Sequence, residues 1–203
     1  MKRLYAAALL AALSLTALPL AAAPHAAADE TAAAKLAIGS TIEDFKLPDA
    51  DGKEHSLSSL KGAKGTVIIF VSTDCPVSNA YNERMEKLAT DYKSRGISVI
   101  GINSNATETA SQVKEHAAAR GLTFPILKDA GNRVADRLQA RATPEAYVLD
   151  ASNKLAYRGR IDNSRDGKSI TSSELRDALE AILAGRPVEK TEVSAFGCSI
   201  KRV

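Results

Sequence analysis

Two short β-branched runs, TVIIFVS (Thr66–Ser72) and ISVIGIN (Ile97–Asn103), bracket a stretch of helical periodicity. That alternation limits the fold more than any other feature of the chain. Runs this short and this apolar suit strands covered on both faces. Between them Tyr81, Met85, Leu88 and Tyr92 recur at spacings of 4, 3 and 4, the stripe of an amphipathic helix, and Gly96 is its stop signal. A second helix follows in TETASQVKEHAAARG, with Thr109 and Gln112 in capping-box spacing and Gly121 at its end. FPIL is a short extended piece and NRVADRLQA a short helix. EAYVLD and KLAYRGRI read as a hairpin turning at Ser152–Asn153. The last helix is expected to start at a capping box of Thr171 with Glu174. It runs Leu175, Ala178, Leu179, Ile182 and Leu183 along one face and closes at Gly185 and Pro187. A tail without periodicity follows and reads as loop. Strands that alternate with helices imply parallel pairing through crossover helices, and the hairpin adds an antiparallel edge. The class is α/β: a mixed central β-sheet with helices on both faces, preceded by short extended pieces around a turn at Asp51–Gly52.

The first 28 of the 203 residues carry Lys2 and Arg3, then a long apolar run, then small residues up to Ala26-Ala27-Ala28. That order reads as a signal peptide cut after Ala28. A retained membrane anchor is the alternative, but Ser14, Thr16 and Pro19 interrupt the run. Residues 29–37 are expected to be a flexible N-terminal segment, residues 38–186 the folded domain and residues 187–203 a tail. The expected location is periplasmic or secreted, with no stable membrane anchor after cleavage. Taking Lys2 and Arg3 from a net charge of +3 leaves +1. A near-neutral domain argues against nucleic acid as a partner. The three histidines, His25, His55 and His116, have no ligand spacing, so no metal and no other cofactor is expected.

An exported chain meets an oxidising compartment, where its two cysteines, Cys75 and Cys198, could form one bridge across 123 positions. Cys75 ends the first apolar run and precedes Pro76. Proline suits the first position of a helix, which makes Cys75 the capping residue. Free N–H groups and the positive end of the helix dipole then face the sulfur. Such a seat lowers a cysteine pKa from about 8.5 into a range of roughly 3.5–7.5 and makes the thiolate available as a nucleophile. The local residues leave a second reading equally open, in which Cys75 is half of a purely stabilising bridge worth roughly 4–5 kcal/mol.

The stretch from "IGSTIEDFKLPDADGKEHSLSSLKG" through "TVIIFVSTDCP" resembles the start of the thioredoxin-like redoxins of the alkyl hydroperoxide reductase/thiol-specific antioxidant type. "GINSN", "ATPEAYVLD", "YRGRID" and the tail "GCSIK" are similar to the peroxiredoxin-like subfamily. The resemblance runs from Ile38 to Lys201 and implies a thioredoxin-like fold with an N-terminal extended hairpin. It makes Cys75 the reactive cysteine, and Thr143-Pro144 the cis-proline loop that faces it and pairs with an extended substrate. The chain departs from the pattern in three respects. "CPVS" and "STDC" put Ser78 and Ser72 where a local second cysteine would stand, so the C-x-x-C dithiol is missing. Ile68 and Ser72 occupy the proline and threonine positions of the peroxiredoxin motif. The peroxide-assisting arginine has only Arg158 and Arg160 as candidates, and solvent or ion-pair roles suit both. Cys198 is then the one protein thiol left to resolve an intermediate on Cys75. The expected function is an exported thiol–disulfide oxidoreductase or peroxiredoxin-like enzyme. Its partners would be a thiol or disulfide substrate (protein or small thiol), peroxide as a further oxidant, and an external electron donor. The rival is a non-catalytic thioredoxin-fold binding protein with a structural Cys75–Cys198 bridge.

Overall fold

The structure, a computed structural model, describes residues 36–203. The signal-peptide reading and most of the segment at 29–37 lie outside the described residues. A hairpin of β1 (Lys46–Pro48) and β2 (Glu54–Ser56) comes first, turning at Asp51-Gly52, and leads into a one-turn helix α1 (Leu57–Leu60). Then come β3 (Gly65–Phe70), α2 (Pro76–Ala80), α3 (Asn82–Lys93), β4 (Ile97–Asn103), α4 (Ala110–Arg120), β5 (Ile126–Lys128) and α5 (Arg133–Leu138). The chain closes with β6 (Ala142–Thr143), β7 (Glu145–Asp150), β8 (Leu155–Gly159), α6 (Glu174–Leu183) and β9 (Cys198–Ser199).

Five strands form the central sheet in the order β5-β4-β3-β7-β8. β3 pairs in parallel with β4 and antiparallel with β7; β5 extends the parallel side and β8 the antiparallel edge. Alternation along β3 divides the core into two layers. Ile68 and Phe70 face Leu47, Leu57 and the α5 residues Val134, Ala135 and Leu138. Val67 and Ile69 face Met85, Leu88 and Tyr92 of α3 with Leu175, Ala178 and Leu179 of α6. The mixed sheet covered on both faces is the architecture that the sequence predicts.

Three local expectations change. The stripe from Tyr81 to Tyr92 is not one uninterrupted helix: Tyr81 separates α2 from α3. Its buried hydroxyl donates to the Asp162 carboxylate at 3.1 Å, beneath the Arg84 guanidinium. The capping box at Thr171 and Glu174 does not form. Glu174 is instead the first residue of α6, because its carboxylate is drawn to Arg160 and accepts from the Ser172 hydroxyl at 2.8 Å. The tail is not all loop, since β9 pairs antiparallel with β6, Thr143 opposite Cys198.

The sheet order has one consequence for function. The carboxyl ends of β3 and β4 and the start of β7 lie at the same edge, where open α/β sheets gather their ligands. Cys75 follows β3, residues 104–109 follow β4, and Thr143-Pro144 precedes β7.

Candidate functional site

Cys75 caps α2 and Pro76 takes the first helical position. The Ser78 N–H donates to Cys75 Sγ at 3.3 Å. The sulfur lies 3.2 Å from the Thr143 carbonyl oxygen, and the Thr143-Pro144 peptide is cis. A disulfide joins Cys75 to Cys198, with their Cα atoms 5.8 Å apart. Cys75 is 3 % exposed, whereas Cys198 is half-buried. All four residues singled out in the sequence, Cys75, Cys198, Thr143 and Pro144, therefore meet at one point.

Gly197 makes that meeting sterically feasible. A Cβ there would overlap the Thr143 carbonyl oxygen and lie 2.6 Å from its carbon. Further up the tail, the backbone at Thr191 and Val193 bonds to both sides of Arg158 on β8 (2.9 and 3.1 Å). Gly159 beside it adopts φ 152°, and a Cβ there would collide with the Val193 carbonyl oxygen. Beyond Cys198 the Ile200 side chain enters the core, and the Ile200 N–H donates to the Arg141 carbonyl at 3.1 Å.

Beneath the cysteine loop lies a buried carboxylate that sequence reasoning missed. Glu108 is 2 % exposed. It accepts from the Ser72 hydroxyl (2.5 Å), the Thr73 N–H (2.8 Å), and the side-chain amides of Asn103 (2.5 Å) and Asn105 (2.6 Å). Burial pushes its carboxyl pKa up, but the bonds from Ser72, Thr73 and Asn103 outweigh that and hold it below the usual carboxylate range. Ser72 Oγ in turn accepts the Cys75 N–H at 3.0 Å. Lys128 reaches the same network through Asn103 Oδ1 and the Asn105 carbonyl, both at 2.7 Å, and burial lowers its pKa. Asn103 is the last residue of β4 and Asn105 lies two positions beyond it. Their amides solvate this anion, and the polar "NSN" at the close of β4 was the one available signal.

Arg158 and Arg160 are both committed elsewhere, Arg158 to Glu192 and Arg160 to Glu174. Ser72, at the peroxiredoxin threonine position, gives its hydroxyl proton to Glu108. Ile68, at the proline position, is sealed in the core. Among the described residues no cluster of three or more histidine, cysteine, aspartate or glutamate side chains could hold a metal ion.

A family model described as AhpC/TSA family matches residues 38–158. Thiol-disulfide oxidoreductase ResA of Geobacillus kaustophilus is 30% identical over 147 residues, which are 72% of this chain and 79% of that protein. The crystal structure of a hypothetical protein from Sinorhizobium meliloti superposes with a TM-score of 0.77 at 36% identity, covering 82% of this chain and 95% of that one. Peroxidoxin BcpB from Mycobacterium tuberculosis, at 22% identity and a TM-score of 0.57, covers 72% of this chain and 94% of its own, a likeness of fold.

Proposed function

The chain belongs to the AhpC/TSA family, and from that premise we propose that it is a thiol–disulfide oxidoreductase working outside the cytoplasm, with Cys75 as nucleophile and Cys198 as resolving thiol. The observation that carries this reading is the seat of Cys75 Sγ. It accepts the Ser78 N–H at the start of α2 while bonded to the other cysteine of the chain. A donor in that position stabilises a thiolate, both as attacking group and as leaving group.

The cycle starts from the dithiol. The Cys75 thiolate attacks one sulfur of a substrate disulfide, forms a mixed disulfide and expels the other substrate sulfur as a thiolate. The Cys198 thiolate then attacks Cys75 Sγ and releases the second substrate sulfur as a thiolate, which takes up a proton. This step regenerates the Cys75–Cys198 bridge seen here. An external dithiol supplies the two electrons that reopen it. During the first step the substrate backbone takes the place of β9 along Thr143 and Pro144, as an added strand. Peroxide reduction ranks second, because Ser72 spends its proton on Glu108 and Ile68 stands where the motif has proline.

The test is steady-state turnover with a dithiol reductant, first on a disulfide substrate and then on peroxide. Wild type is expected to turn over the disulfide faster than the peroxide, and Cys75→Ser to abolish both. A wild-type protein inert toward both substrates would make the bridge structural. Resistance of the exported protein to cytoplasmic extraction, and its release with the periplasmic or secreted fraction, tests the location.

A further inference from the structure

Besides the disulfide, two buried side chains, Glu108 and Asn105, tie together the segments that carry the two cysteines. On one side stands the loop after β3. The Glu108 carboxylate holds it through Ser72 Oγ and the Thr73 N–H, and Ser72 Oγ holds the Cys75 N–H. On the other stands the tail. The Asn105 carboxamide spans the two: its Nδ2 donates to Glu108 Oε1 at 2.6 Å, and its Oδ1 accepts the Lys201 N–H at 2.7 Å. The Lys201 carbonyl accepts the Ala106 N–H at 2.9 Å, so the tail backbone is held on both its donor and its acceptor. Asn105 is 4 % exposed, and both ends of its amide are engaged.

We propose that Asn105 is a positioning residue that keeps the Cys198 thiol within reach of Cys75 in the reduced protein and so sets the stability of the disulfide. The proposal rests on the reading of the pair as catalytic. Cys198 and Lys201 are three positions apart, and a chain of that length extends no more than about 10 Å. While Asn105 grips Lys201, the residues from Gly197 to Ser199 can lift from Thr143 to admit a substrate, yet Cys198 stays nearby. Its effective concentration at Cys75 Sγ is then far above that of a thiol on a free tail. Ring closure is favoured by the same factor. Glu108 makes the arrangement mutual, because the amide that binds Lys201 is oriented by the carboxylate that shapes the Cys75 loop.

The experiment is equilibration of the protein in glutathione redox buffers, with the dithiol fraction read by alkylation and mass. Asn105→Ala removes both bonds. Asn105→Asp keeps an acceptor for Lys201 but sets a carboxylate against Glu108. Both variants should make the disulfide roughly tenfold easier to reduce, a shift of about 30 mV for a two-electron couple. Tyr92→Phe is the control. It deletes a hydroxyl bond to Glu180 on α6, outside the loop and the tail, and should lower stability while leaving the midpoint in place. An Asn105→Ala midpoint that moves no further than that of Tyr92→Phe overturns the proposal. Should the variants fail to fold, amide exchange in reduced wild type decides instead. The Lys201 N–H should exchange slowly, and exchange at the free-chain rate overturns the clamp. Neither readout needs turnover. An inert wild type with a shifted midpoint would therefore refute the catalytic reading alone, and an active wild type with an unshifted midpoint the clamp alone.

Discussion

Single residues decide whether the tail can close over the site. Gly159 and Gly197 are the clearest cases, because each lets a backbone pass where any side chain would collide. Both sit in the motifs that stood out in the sequence, "YRGRID" and "GCSIK". The resemblance carries these motifs without a reason for either glycine, since each is needed by a segment far away along the chain. Gly197→Ala is expected to destabilise the oxidised protein by roughly 1–3 kcal/mol, because the obstacle is the backbone of Thr143 and cannot rotate aside. The reduced protein, free to hold Gly197 away from β6, should lose less. Chemical denaturation of both forms measures the difference, and equal losses would count against it. Glu108 shows the opposite limit of legibility. Within "NATET" only Asn105 is a partner of the buried anion, and the other donors come from the loop after β3 and the end of β4.

At the scale of elements, the sequence was most readable where the deciding forces are local. The bounds of β4 and the Thr109–Gln112 capping box of α4 need only their own residues, and both form as expected. The start of α6 was misread because a tertiary ion pair competes with the local cap and wins. Arg160 takes the Glu174 carboxylate, and α6 begins at Glu174. β9 was missed for a related reason: a two-residue strand has no periodicity of its own and exists only through Thr143 and Ala142. The Arg160–Glu174 pair also sets a pH dependence. The Arg160 guanidinium holds the Glu174 carboxyl down to about 2, from an ordinary value near 4.5. A folded-state pKa below the unfolded one means stability that is fully present above about pH 4.5 and is lost as pH falls toward 2. Glu174→Gln should therefore cost of order 2–3 kcal/mol at neutral pH and flatten the acid limb of the stability curve across that window. Urea titrations of both proteins across that range provide the check. Parallel curves would assign the acid sensitivity to other carboxylates.

Across the whole molecule, the sheet order joins what the sequence keeps apart. Parallel β3 and β4 and antiparallel β7 bring three loops to one edge, and the tail returns to lay Cys198 against Cys75, 123 positions earlier in the chain. The alternation of runs and stripes made the sheet legible, and the resemblance made the Cys75 and Thr143-Pro144 pairing legible. The tail's route was not, because it depends on scattered single contacts: Ile200 in the core, Lys201 on Asn105, Arg202 on the Ala140 carbonyl. The central claim is that this assembly is a catalytic pair with a fixed division of labour. It is tested most directly by reacting reduced Cys198→Ser and reduced Cys75→Ser with a disulfide substrate and weighing the intact products. Cys198→Ser should accumulate a stable mixed disulfide on Cys75, because no second thiol remains to release it, and Cys75→Ser should remain largely unmodified. Rapid adduct formation on Cys198 in Cys75→Ser, with none on Cys75 in Cys198→Ser, would contradict the account.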